Sequence, residues 1–177
     1  MTLPGDPSPA ASEARMIRVD HAGEYGAVRI YQGQRAVLGR GASGPALAHM
    51  QAQEEAHLAR FTALIAERRV RPTALLPLWH LAGFALGAAT AALGPAAAMA
   101  CTVAVEEEIS AHYARQETAL AATDPALCAE IAGFRAEEEA HRDTALAAGA
   151  ETTPGYRLLS GAIRAGCRIA IALSERI

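Results

Sequence analysis

With 177 residues the chain has room for one domain with a substantial buried core. Aromatic residues make up only 5%, alanine dominates and runs of Val, Ile and Thr are missing, which favours an all-helical protein. The net charge of −3, carried with 16 arginines and no lysine, offers no basic surface of the kind nucleic acid requires, and we read the arginine usage as compositional bias.

Pro4, Gly5, Pro7 and Pro9 make residues 1–11 a loose, disordered tail ahead of a single domain over 12–177. No positive charge precedes Arg15 and no apolar h-region follows, so a secretory signal is not expected. Cys101, Cys128 and Cys167 are odd in number and far apart, which suits reduced thiols on a cytosolic face. From about Ser12 to Leu38, residues Ile17, His21, Glu24, Val28 and Tyr31 form one stripe of a first helix. Gly39, Gly41, Gly44 and Pro45 break it, and Pro45 opens a second helix through Glu67 behind a cap at Ser43 or Gly44.

Pro72 to Val105 carries no formal charge and has the length of a membrane span. Pro77, Gly83, Gly87, Gly94 and Pro95 interrupt it, however, and alanine drives insertion weakly, so we divide it into a third helix over about Pro72–Leu93 and a fourth over about Pro95–Ala122. Gly83-Phe84-Ala85-Leu86-Gly87 would let another helix approach closely. Asp124 caps a fifth helix that Pro125 starts and Gly149 stops. Thr153-Pro154 opens a sixth, whose Arg157, Arg164 and Arg168 share a face that is either a solvated edge or an interfacial contact with anionic lipid.

Glu54-Glu55-Ala56-His57 and Glu138-Glu139-Ala140-His141 each read Glu-x-x-His, which puts a carboxylate and an imidazole on one side of a helix. One such motif is common. Here each has an upstream partner, Glu24 before Glu54 and Glu106 before Glu138, and the midpoints of the two pairs fall at Gly39 and Ala122, where the turns are expected. Antiparallel hairpins therefore set all four carboxylates level, the pattern of dinuclear carboxylate sites in a ferritin-like four-helix bundle, with a long apolar crossover helix and an additional C-terminal helix. Glu24, Glu54, His57, Glu106, Glu138 and His141 are the expected metal ligands and catalytic residues. Glu55, Glu107, Glu137 and Glu139 leave some ambiguity of register. Tyr31 and Tyr113 each follow an upstream glutamate by two turns and could support the ligands, or simply fill the core. Asp20 is a candidate acceptor for a ligand histidine's free nitrogen, and His112, near Glu108 and Tyr113, is the most notable of the remaining histidines.

Arg18-Val19-Asp20-His21-Ala22-Gly23-Glu24-Tyr25-Gly26-Ala27 closely resembles the first-helix signature of the demethoxyubiquinone hydroxylases. Arg69-Val70-Arg71-Pro72-Thr73, Pro77-Leu78-Trp79, Ala100-Cys101-Thr102-Val103-Ala104-Val105-Glu106-Glu107 and Leu173-Ser174-Glu175-Arg176 extend the resemblance to the C-terminus. It implies a di-iron monooxygenase of ubiquinone biosynthesis that uses dioxygen to hydroxylate the ring of a membrane-borne demethoxyquinone, with the same six residues as iron ligands and Glu54 and Glu138 bridging. It further implies NADH as a possible ultimate reductant and a peripheral place on the cytoplasmic side of the cell inner membrane. Association with other ubiquinone-biosynthesis proteins, or with further copies of the chain, is expected on the same ground. Two other readings remain: a different ferritin-like activity such as ferroxidase or manganese catalase, and a non-catalytic membrane-bound helical protein with solvated acidic residues.

Overall fold

A proline in the first or second position starts five of the helices, where its fixed φ suits the helix and its missing N–H costs nothing. The computed structural model describes residues 8–177 as α1 (Pro9–Leu38), α2 (Gly44–Glu67), α3 (Leu76–Ala92), α4 (Pro95–Leu120), α5 (Pro125–Ala147) and α6 (Tyr156–Ser174), with a 3-10 turn at Ala150–Thr152. No strand occurs among the described residues. Of the tail expected over 1–11, residues 1–7 lie outside the described residues; Ser8 caps α1, its hydroxyl accepting from the Ala11 N–H at 3.2 Å. Asp124 caps α5 in the same way, accepting from Leu127 at 3.0 Å.

Three helix starts differ from the sequence reading: α1 already begins at Pro9, inside the segment read as a loose tail and ahead of the expected Ser12. The third helix starts at Leu76 rather than Pro72, because Arg71 and Ala74 make long-range backbone hydrogen bonds instead of helical ones. The Arg71 carbonyl accepts from Arg18 at 2.7 Å, and the Ala74 N–H donates to the Ile177 carbonyl at 3.1 Å. The last helix starts at Tyr156, since Gly155 takes a left-handed φ of 72° that ends the turn before it.

α1 and α2 form one antiparallel hairpin, α4 and α5 another, and α3 crosses between them while packing along α1. α6 lies on α4. This is a ferritin-like helical bundle with two added helices. The contact of α1 with α3 is backbone to backbone: a Cβ at Gly87 would run into the Ile30 carbonyl, and one at Gly33 into the Phe84 carbonyl. The three cysteines are free; Cys101 is fully buried and Cys128 and Cys167 partly so.

The core is layered along the bundle axis. Ile17, Phe61, Leu64, Tyr113, Leu120, Leu127 and Ile131 form one apolar cluster, and Tyr31, Leu47, Met50, Met99, Val103 and Ala145 another. Seven-residue steps, nearly two helical turns, connect the layers: 17, 24 and 31 on α1, 47, 54 and 61 on α2, 99, 106 and 113 on α4, 131, 138 and 145 on α5. The middle members are the four glutamates, so a polar layer sits between two apolar ones.

Candidate metal centre

Glu24, Glu54, His57, Glu106, Glu138 and His141 come from four helices and are each at most 2% exposed. They form two overlapping groups. In Glu24, Glu54, His57 and Glu138 one donor atom per residue lies within 4.8 Å of the others, and the same holds for Glu54, Glu106, Glu138 and His141. Glu54 and Glu138 belong to both. His57 Nδ1 is 3.1 Å from Glu138 and 3.6 Å from Glu24, while His141 Nδ1 is 3.1 Å from Glu54 and 3.3 Å from Glu138. Either group could hold a metal ion.

The residues present fit such ions. Glu24 Oε2, Glu106 Oε2, both oxygens of Glu54 and of Glu138, and Nδ1 of both histidines are buried without a hydrogen-bond partner. Buried polar atoms are normally satisfied, and so many inward-facing oxygens and imidazole nitrogens in one layer make a donor set for divalent cations. Burial pushes the Glu54 and Glu106 carboxyls well above the usual carboxylate range, with repulsion from Glu138 adding to it, and burial raises Glu24 as well. For Glu138 burial acts upward too, but the imidazoles of His141 and His57, with Nδ1 at 3.3 and 3.1 Å, override it and hold the group below its ordinary value. Burial would lower the His57 ring; Glu138 and Glu24 beside it raise it instead, to about 11. The metal-free layer thus holds protons where cations would sit, and loading with metal must release them.

Of the neighbouring acids, Glu55, Glu107, Glu108 and Glu139 have partners away from the buried layer. Glu107 and Glu108 reach Arg164 and Arg168 of α6 at 2.6 and 2.5 Å. Glu139 pairs with Arg135 and Glu55 accepts from Gln51. An arrangement with solvated acidic residues is contradicted at all four inward glutamates.

The tyrosines are exchanged between the hairpins. Tyr31 of α1 donates to Glu106 of α4 at 2.6 Å, and Tyr113 of α4 donates to Glu24 of α1. Asp20 meets neither His57 nor His141. It faces α4, accepting from Gln116 at 2.7 Å and lying 3.3 Å from His112, so His112 belongs to this outlying group as well. His57 and His141 instead turn their outer nitrogens toward the seam between α2 and α5, where Glu137 and Gln53 meet them. Sequence reading missed Gln53 and treated Glu137 only as a register alternative. The available signal was that each stands four residues before its motif's histidine, one turn back on the same face.

A ferritin-like bundle with a carboxylate- and histidine-lined centre for two cations is the class that this fold and site define. The chain matches the family model described as Ubiquinone biosynthesis protein COQ7 over residues 11–174. It is 60% identical over 176 residues to the 3-demethoxyubiquinol 3-hydroxylase of Rhodospirillum rubrum, covering 99% of this chain and 83% of that relative. The mitochondrial NADPH-dependent 3-demethoxyubiquinone 3-hydroxylase of Homo sapiens is 54% identical over 171 residues, or 94% of this chain and 79% of its own length. For the mitochondrial 5-demethoxyubiquinone hydroxylase of Saccharomyces cerevisiae the identity is 42% over 185 aligned residues, covering 95% of this chain and 79% of the yeast protein. The chain belongs to this ubiquinone biosynthesis family.

Proposed function

We propose that the protein is a di-iron monooxygenase that hydroxylates the ring of a demethoxyubiquinol with dioxygen. The observation that carries this reading is the layer of buried donor atoms without partners, set in a chain whose relatives are named for that reaction. Glu24, Glu54, His57 and Glu138 would hold one iron, and Glu54, Glu106, Glu138 and His141 the other. Reduction of dioxygen and delivery of one oxygen atom to the ring is the chemistry a bound iron pair supplies. The chain's own part is to keep that chemistry dry and in register. The apolar clusters on both sides exclude water, and Tyr31 and Tyr113 fix the carboxylates of Glu106 and Glu24 by hydrogen bonds. Gly23, partly exposed beside Glu24, has open space where a side chain would be. Two electrons come from outside, and we assign them to a nicotinamide reductant such as NADH. No Gly-x-Gly-x-x-Gly segment is present to hold it as a resident cofactor.

No helix among the described residues is long and apolar enough to cross a membrane. α3 and α6 meet where Trp79 donates to Ser174 at 3.1 Å; Leu81 of α3 and Leu93 just past its end are 69% and 74% exposed, and Leu158 and Ile169 of α6 81% and 61%. We propose this apolar side as the contact with the surface of the quinone-bearing membrane, on the cytoplasmic face of the inner membrane.

The test is turnover. Protein loaded with iron and given reductant, a short-chain demethoxyquinol and isotopic dioxygen should place one labelled oxygen on the ring, and Glu24→Ala or His141→Ala should abolish this. Oxidation of ferrous ion or peroxide disproportionation with no ring hydroxylation would sink the proposal in favour of another ferritin-like activity.

A further inference from the structure

The inner centre is symmetric to a close approximation, but its outer support is not. Glu54 and Glu138 are shared by both groups, and each hairpin's tyrosine holds the other's glutamate. Behind the histidines runs a single chain of hydrogen bonds across the α2–α5 seam. The His57 Nε2–H donates to Glu137 Oε2 at 2.8 Å, the Gln53 amide N–H donates to the same oxygen at 3.2 Å, and the His141 Nε2–H donates to Gln53 Oε1 at 3.1 Å. Only one orientation of the Gln53 amide serves both contacts: its oxygen must face His141 and its nitrogen Glu137. Both rings are thereby fixed with Nδ1 facing inward. Yet His57 leans on an acid side chain, and His141 on a neutral amide.

A carboxylate accepting the outer N–H of an imidazole withdraws that proton more strongly than an amide oxygen does, and so leaves the inner nitrogen a better donor to a cation. We propose that Glu137 and Gln53 are positioning residues that make the two ion sites unequal, so that the Glu24–His57 site takes up a divalent cation first and more tightly than the Glu106–His141 site. The inference rests on the two-ion reading above.

Metal-free protein of residues 1–177 would be titrated anaerobically with ferrous ion enriched in a Mössbauer-active isotope, with a competing chelator to measure affinity. The native protein should bind two ions in two resolved steps, and substoichiometric iron should populate mainly one of two quadrupole doublets. Glu137→Gln should weaken the first step by about 10- to 100-fold while two ions still bind. Gln53→Glu should tighten the second step. Combining the two substitutions exchanges the supports, and substoichiometric iron should then populate the other doublet. Circular dichroism of each variant establishes that it folds, and Gln53→Glu carries the test if Glu137→Gln does not fold. Two equivalent sites in the native protein, or steps unmoved in folded variants, would overturn the inference while leaving the two-ion centre standing. Failure to bind two ions at all would overturn both.

Discussion

At the scale of single residues, the layer of four glutamates governs how the metal-free protein responds to pH. Glu24, Glu54 and Glu106 have folded-state pKa values above their ordinary ones, so the folded chain retains protons that the unfolded chain has already released. Stability from such groups is complete below the ordinary carboxylate range and is lost as pH rises through the raised values. His57 acts in the same direction, with stability lost as pH rises from its ordinary value toward about 11. Glu138 is opposite in sign, and its contribution is lost only in acid, as pH falls below the ordinary carboxylate range. Thermal unfolding of metal-free protein should therefore move to lower temperature as pH rises above the ordinary carboxylate range, and Glu54→Gln should flatten that slope. Tyr31→Phe tests the second kind of support. It leaves Glu106 Oε1 without its donor at 2.6 Å, and metal affinity measured by chelator competition should fall by about tenfold or more with helicity unchanged. The six inward residues were legible because hairpin spacing converts sequence distance into height. Gln53 and Glu137 were not, because what they touch lies across a seam between helices that are not neighbours in the chain.

At the scale of elements, a proline, with or without a side-chain cap, made helix starts readable at Asp124-Pro125 and Gly94-Pro95, whereas the Ser8-Pro9 start of α1 was missed because the nearby prolines and glycine read as a loose tail. The start of α3 was misread because tertiary partners hold Arg71 and Ala74, among them the carbonyl of Ile177 at the far end of the chain. The glycines expected to admit a neighbouring helix do so, and they are discriminating. Gly87→Ala places a methyl group against the rigid Ile30 backbone and should cost about 1–3 kcal/mol in denaturant unfolding. Gly133→Ala, on the exposed side of α5 with open space around it, should instead stabilise by roughly 0.5–1 kcal/mol. The arginine face of α6 differs from the solvated edge expected: Arg164 and Arg168 are tied to glutamates of α4, and only Arg157 remains exposed with no acidic partner among the described residues.

For the whole molecule, the apolar side formed by α3 and α6 predicts a measurable location. The protein should float with vesicles containing anionic lipid, and Leu81→Glu combined with Ile169→Glu should leave it in the soluble fraction while the metal centre, on other helices, still loads. The exchange of supports between hairpins has a consequence for biosynthesis. Both candidate ion sites need Glu138, which lies in the middle of the fifth helix, and the tyrosines and outer hydrogen bonds of each half terminate in the other. A ribosome that has released only the first hairpin has therefore exposed no finished pocket that could trap a wrong cation. Metal selection is deferred until the second hairpin has emerged and the halves have closed on each other, so the fold itself sets the order of synthesis first and metallation second.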